Sequence, residues 1–365
     1  MNRVDTSELA VFRGDVAISI YAHCALRGGC IASLNRMCLE AAQMLRKKFD
    51  GYKGEAWAEK LLSLEGYFPV SGEHTMVVLL VNKYINWVYP LIAPLPEKIF
   101  IQDSFVLSPV NQQLYRLDRY WVLVIFHGVP YLFEGYPNGI LEVYHRHTTY
   151  TGEEYVALQD VAGLVCSEDM WGKKCRYKGD DEFIRSIDKA FRHFLEGDPL
   201  PYLCIADEKS ARDFSQYSSY AHDAMKVVAV SHQLSVKELH HVAWKAAEPW
   251  FHQHRRKTYQ EILDATKANM CVWDIPRIWH YLHDDSIRCI VVNRSLAMPG
   301  CEDRAASAIF LGDHCKGAEP IDAIDSLLDA AHRRGIPVVL FDEHELDAYN
   351  GIVAILTSGQ ESLRE

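Results

Sequence analysis

A run of aromatic and β-branched residues, Arg119 to Phe126 (RYWVLVIF), is followed at once by His127-Gly128 and then by a second such run, Val129 to Gly135 (VPYLFEG). Side chains of this kind fit a pleated, half-buried surface, and a two-residue connection containing Gly accepts the positive φ that a tight hairpin needs. The pair therefore reads as two antiparallel strands, and its partners constrain the middle of the chain. Gly139 to His147 (GILEVYHRH) alternates Ile140, Glu142, Tyr144 and Arg146 against Leu141, Val143 and His145, the period of a third, half-buried strand.

A polar stretch without period, Thr148 to Gly179, comes next and is expected as a loop, with Lys173, Lys174, Arg176 and Lys178 at its far end. Asp181 to Leu195 then carries Phe183, Ile184, Ile187, Ala190, Phe191 and Phe194 at helical spacing, with acids in the first turn where the helix dipole favours them. Pro199 to Ala206 is a short buried strand, Asp207 an N-cap for a helix over Glu208 to Tyr217, and Lys226 to His232 (KVVAVSH) a further apolar strand. Strands and helices in this order imply a mixed-sheet α/β domain.

The flanking regions read as separate units. Val16 to His23 is a strand, and Ala32 to Phe49 a helix whose Leu34, Met37, Cys38, Ala41, Met44 and Leu45 share one stripe. A second helix over Glu55 to Leu64 and strands over Thr75 to Val81 and Ile85 to Ile92 follow. After the central unit, Ser235 and Glu238 have the spacing of a capping box, which opens a helix towards Ala268 that Pro249 threatens to break. That helix bears a basic cluster, His252, His254, Arg255, Arg256 and Lys257. Beyond Trp273, helices over Asp274 to Leu282 and Pro320 to Arg334 alternate with strands over Ile287 to Asn293, Ala308 to Leu311, Ile336 to Phe341 and Gly351 to Thr357. This alternation predicts a three-layer α/β sandwich. The expected organisation is an α/β multi-domain chain divided into 1–105, 106–250 and 251–365.

Composition narrows the function classes. With 49% hydrophobic residues over 365 positions, several cores can be filled. Residues 1–23 contain no signal-like apolar segment, and the longest apolar window, Thr75 to Pro96, is interrupted by Asn82, Lys83, Asn86 and Pro90, so a cytoplasmic location without membrane attachment is expected. Ten cysteines include no C-x-x-C pair and read as reduced thiols. A net charge of -11 argues against general coating of DNA or RNA and restricts any RNA contact to a local patch. Neither a phosphate-binding Gly-rich loop nor a G-x-S-x-G elbow is present, and His145/His147 and His280/His283 lack a third ligand at a convincing spacing. These patterns identify no catalytic residue and no metal site or cofactor, which leans against an enzyme without deciding the question.

The order of segments resembles the bacterial relatives of the archaeo-eukaryotic peptide-chain release factors, the group that includes Pelota. Arg119 to Glu142 is similar to the opening strands of the release-factor catalytic domain, and Pro201 to Asp207 (PYLCIAD) to its later strand. Asp322 to Thr357 is similar to the last domain of those factors, which is related to kink-turn-binding ribosomal proteins. The resemblance implies a translation-associated protein that binds ribosome or tRNA. It also implies a Gly-Gly-Gln loop for peptidyl-tRNA hydrolysis, and here the chain departs: Gln159 lies between Leu158 and Asp160, and the only Gly-Gly is Gly28-Gly29. Hydrolysis by the family route is therefore not expected.

Two function classes remain. One is a ribosome- or tRNA-binding protein with Lys173, Lys174, Arg176, Lys178, Arg255, Arg256 and Lys257 as candidate RNA contacts. The other is a metal-dependent hydrolase or nuclease acting on RNA or nucleotides through acids in the loop or at strand ends.

Overall fold

The computed structural model describes residues 9, 14–23, 29–49, 51–64, 76–83, 86–92, 96–149, 152–157, 179–303, 308–312, 321–342 and 344–357. The chain divides into two compact units, one of residues 1–106 and 119–248, the other of 107–118 and 249–365. The segments 1–106 and 119–248 cluster as one unit, and the short segment 107–118 goes with the second.

The first unit holds two sheets. Strands β1 (Ala17–His23), β2 (Met76–Val81), β3 (Asn86–Leu91) and β4 (Lys98–Gln102) form an antiparallel sheet in the order β3-β2-β1-β4. Helices α1 (Gly29–Lys48) and α2 (Tyr52–Leu62) cover one face, where Leu34, Met37, Cys38, Ala41 and Leu45 meet Ile18, Ile20, Val77 and Leu79. Met44, expected in the same stripe, is instead 40% exposed, because it lies about 100° around the helix from the fully buried Leu45 and so falls off the apolar face.

The second sheet has the order β11-β10-β5-β6-β7, with β5 (Tyr120–Phe126), β6 (Val129–Tyr136), β7 (Gly139–Glu142), β10 (Tyr202–Asp207) and β11 (Val227–Val230). The β5–β6 hairpin turns at His127 (φ 50°) and Gly128 (φ 75°), the left-handed conformations that a two-residue turn demands. β10 runs parallel to β5 and to β11. The crossover helices α4 (Asp180–Gly197) and α5 (Glu208–Tyr217) lie on one face, burying Ile184, Ile187, Phe191, Phe194 and Phe214 against Trp121, Leu123, Cys204 and Ala206. The third strand is shorter than its alternation suggested. It leaves the sheet after Glu142, and Tyr144–Thr149 (β8) pairs instead with Gly152–Ala157 (β9) as a separate hairpin. The first part of the expected loop is thus a strand; residues 158–178 lie outside the described residues.

A buried ion-pair triad pins this sheet. Arg119 Nε donates to Glu134 Oε1 at 2.6 Å, and its Nη2 donates to Asp198 Oδ2 at 2.9 Å. All three residues are buried, so the triad ties the first residue before β5 to β6 and to the end of α4. Asp207 makes a second joint. Its Oδ1 accepts from the N–H groups of Lys209 (3.1 Å) and Ser210 (3.0 Å), capping α5, while Oδ2 accepts from the His127 N–H at 3.1 Å. Burial disfavours its charge, but the donors from Ser210, His127 and Lys209 outweigh that and hold its carboxyl below the usual range.

The second unit is built on the sheet β12-β18-β13-β17, comprising β12 (Cys271–Val272), β13 (Ile287–Asn293), β17 (Val338–Phe341) and β18 (Ile352–Leu356). Alternation along β13 separates the two faces. Ile290 and Val292 pack on α7 (Ile275–His283) and α8 (Ala323–Arg333), and Cys289 and Val291 pack on Ile262 and Ala265 at the end of α6 (Val236–Lys267). The result is the three-layer sandwich. A small sheet, β15-β14-β16 over Ala308–Leu311, Pro299–Asp303 and Ile321–Asp322, lies beside it. The Ser235/Glu238 capping box forms, and α6 continues through Pro249 without the expected break. Cys38, Cys204, Cys271 and Cys289 are buried thiols outside any disulfide, but Cys301 on β14 is disulfide-bonded, which corrects the reading of uniformly reduced thiols at that residue.

Segment 107–118 carries α3 (Ser108–Arg116), which docks on α8. Arg116 Nη2 reaches Asp325 at 2.7 Å and Asp322 at 3.3 Å, and the Tyr115 hydroxyl donates to Asp329 at 2.7 Å.

Replacing Arg119 by Leu would leave Glu134 and Asp198 buried without their cation. We expect a loss of about 3–5 kcal/mol in urea unfolding; a loss below about 1 kcal/mol would contradict the role given to the triad.

Candidate nucleic-acid interface

Cations can serve RNA only where they face solvent and are not already committed. Lys173, Lys174, Arg176 and Lys178 lie outside the described residues. The cluster on α6 is described, and helical geometry divides it. Arg255 points inward, is 8% exposed, and donates through Nη1 to Asp118 Oδ2 at 3.0 Å. Its Nη2 lies 3.3 Å from His252 Nδ1, so this guanidinium is part of the interior of the second unit. His254 stacks on Trp250 with ring centroids 5.0 Å apart, and burial lowers its pKa below the usual imidazole value, which leaves it neutral at pH 7. Arg256 and Lys257 are exposed and remain available. Of the three Arg and Lys side chains in this cluster, two present their charge to solvent.

In the first unit, α4 contributes a patch that the apolar reading of that helix passed over. Its outer face exposes Arg185, Lys189, Arg192 and His193, at i, i+4, i+7 and i+8. Arg185 is weakly held by Asp181 at 3.9 Å, and Arg192 Nε meets the Tyr220 hydroxyl at 3.4 Å. Acids bracket the patch, Asp180, Asp181 and Glu182 at the start of the helix and Glu196 near its end. On α5, Arg212 is exposed, while Lys209 is tied to Asp180 at 2.5 Å and Asp213 at 3.0 Å. The signal for the α4 patch was present in the sequence as the residues lying between the apolar positions, each cation one helical turn from the next.

The histidine pairs have local partners or lie beyond description. His280 Nε2 is 3.3 Å from Asp284, and His283 Nδ1 lies 2.8 Å from the Trp279 carbonyl. His145 and His147 lie on β8, and their side chains are outside the described residues. Among the described residues, no three His, Cys, Asp or Glu side chains converge as a metal site would require. Nor is any helix among them long and apolar enough to cross a membrane.

Residues 119–285 match the profile of bacterial archaeo-eukaryotic release factor family 3. The matched stretch includes the β5–β6 hairpin, α4, β10, α6 and α7. No curated protein matches the sequence. Among solved structures, the chain overlays on S. cerevisiae Dom34, described as a translation termination-like factor involved in RNA quality control pathways and interacting with Hbs1. That overlay has 10% identity, covers 80% of this chain and 81% of the other, and has a TM-score of 0.39. An archaeal Pelota, from a model of ribosome-bound archaeal Pelota and ABCE1, gives 13% identity, 78% coverage of both chains and a TM-score of 0.37. Archaeoglobus fulgidus Pelota gives 15% identity, 78% and 80% coverage and a TM-score of 0.26. At these scores the overlays carry no weight for function.

The split within the α6 cluster is testable. Arg255→Ala should destabilise the protein by about 3 kcal/mol, because Asp118 then keeps a buried charge with one partner fewer. Arg256→Ala and Lys257→Ala should each stay within about 0.5 kcal/mol. Chemical denaturation of the three variants checks the ordering.

Proposed function

We propose that this relative of the bacterial archaeo-eukaryotic release factors works in translation by binding the ribosome or tRNA, in the rescue of stalled complexes, without hydrolysing peptidyl-tRNA by the Gly-Gly-Gln route. The observation that carries the reading is the family match over 119–285. Two further features support it. The chain has no Gly-Gly-Gln, so no glutamine follows the pair of glycines that would let backbone approach a reacting ester closely. Exposed cations sit on regular elements within the matched stretch, namely Arg185, Lys189 and Arg192 on α4 and Arg256 and Lys257 on α6. Lys173, Lys174, Arg176 and Lys178, which the sequence places just before α4, belong to the same proposed contact set.

Against a net charge of -11, such contacts must be few and local, and affinity should fall steeply with salt as phosphate counterions are no longer released to advantage. A role of this kind places the chain in the cytoplasm.

Ribosome co-sedimentation tests the reading. Binding is expected at about 50 mM monovalent salt, with loss of at least about tenfold in affinity near 200 mM. Charge reversal of Arg185, Lys189 and Arg192 together should weaken binding, and reversal of Lys173, Lys174, Arg176 and Lys178 should weaken it again. Absence of binding at low salt, or binding indifferent to both sets, would overturn the proposal.

A further inference from the structure

Cys301 sits on β14, the middle strand of the small sheet, paired with Phe310 on β15 and 3% exposed. It is disulfide-bonded, whereas Cys38, Cys204, Cys271 and Cys289 are buried thiols outside any disulfide. Burial raises the pKa of Cys204, Cys271 and Cys289, the last to about 11, so these three stay protonated and unreactive at neutral pH. The sheet that carries the bond is slight, with strands of 5, 4 and 2 residues. Strands this short hold weakly by pairing alone, and a covalent tie on the middle one limits how far they open.

The bond lies close to a joint. Pro299 and Gly300 of β14 pair with Asp322 and Ile321 of β16. Asp322 Oδ1 accepts from the Met298 N–H at 3.1 Å and from the Ile324 N–H at 3.0 Å, so one oxygen holds the entry to β14 and caps α8. Its Oδ2 meets Arg116 Nη2 of α3 at 3.3 Å, and the Ala323 N–H returns to the Met298 carbonyl at 2.8 Å. Gly300 shows how close the layers are: a Cβ there would lie 2.6 Å from the Phe310 carbonyl oxygen and 2.9 Å from Ala323 Cβ. A displacement of β14 therefore disturbs Asp322, and with it the cap of α8 and one of the two carboxylates that hold Arg116.

We infer that the Cys301 disulfide is a reversible redox lock on this joint, which holds β14 on β16 and α8 when oxidised and lets them part when reduced. The inference rests on the cytoplasmic reading for its reductant, since thiols keep that compartment reduced and a disulfide there is usually transient or redox-sensing. The chemistry is thiol–disulfide exchange with a dithiol of the thioredoxin class. Its thiolate attacks one sulfur, and the other leaves as a thiolate and takes up a proton. The second thiol of the reductant then displaces the mixed disulfide. Two electrons and two protons pass to Cys301 and its partner cysteine, and the reductant becomes a disulfide.

The test uses the full-length protein purified without reductant, and no RNA, so its failure is distinct from failure of ribosome binding. Free thiols are alkylated before and after dithiothreitol and again after oxidised glutathione, and peptide mass spectrometry follows Cys301 and identifies its partner. Amide exchange is measured at 298, 323 and 324. Cys301 should resist alkylation at first, accept it after dithiothreitol, and be protected again by glutathione. Reduction should speed exchange at the three amides about tenfold or more, and leave 209 and 210 in the first unit unchanged. Cys301→Ser should exchange like the reduced protein whatever the oxidant; should that variant not fold, reduction of the wild type decides. The inference is overturned if Cys301 is alkylated without reductant, if dithiothreitol fails to reduce it in the folded protein, as in a permanent staple, or if reduction leaves exchange at 298, 323 and 324 unchanged.

Discussion

Two adjacent residues of opposite charge, Asp118 and Arg119, are both buried, and each is satisfied in a different unit. Asp118 accepts from Arg255 at 3.0 Å and Arg294 at 3.3 Å within the second unit, whereas Arg119 donates to Glu134 and Asp198 within the first. Isolated charges at such depth would cost several kcal/mol each, so both must keep their partners for the chain to pass from one unit to the other where it does. The rest of the architecture hangs on that passage. α3, just before it, is held on α8 by Arg116 and Tyr115, and β5, just after it, founds the central sheet.

Much of this was legible because apolar spacing and local hydrogen-bond chemistry act over a few residues. The β5–β6 turn follows from His127-Gly128, the burial of α4 from Phe183 to Phe194, the start of α6 from Ser235 and Glu238, and the cap of α5 from Asp207. What stayed hidden depends on partners far along the chain. α3 lies among residues with no strong period, and its place is set by Asp322, Asp325 and Asp329, some two hundred positions later. β12 and β16 have two residues each, too short to carry a pattern. β7 gives way to β8 within one uninterrupted alternation, because the period of two is the same in both and only the choice of partner strand changes.

The candidate contacts show the same division. A charge run treats Arg255, Arg256 and Lys257 as equivalent, but successive helical residues point about 100° apart, and one of the three must face the interior. Arg255 is the one that finds a buried carboxylate there. On a chain with a net charge of -11, the exposed cations of α4 and α6 form only local positive patches.

The joint at Asp207 has a dynamic consequence. One carboxylate holds the N–H groups of Lys209 and Ser210 at the start of α5 and, through its other oxygen, the N–H of His127 in the β5–β6 turn. Fraying of the helix end and opening of the turn are then a single event rather than two. The amide protons of residues 127, 209 and 210 should exchange with solvent with a common opening free energy, as one small cooperative element, although eighty residues of sequence separate the turn from the helix.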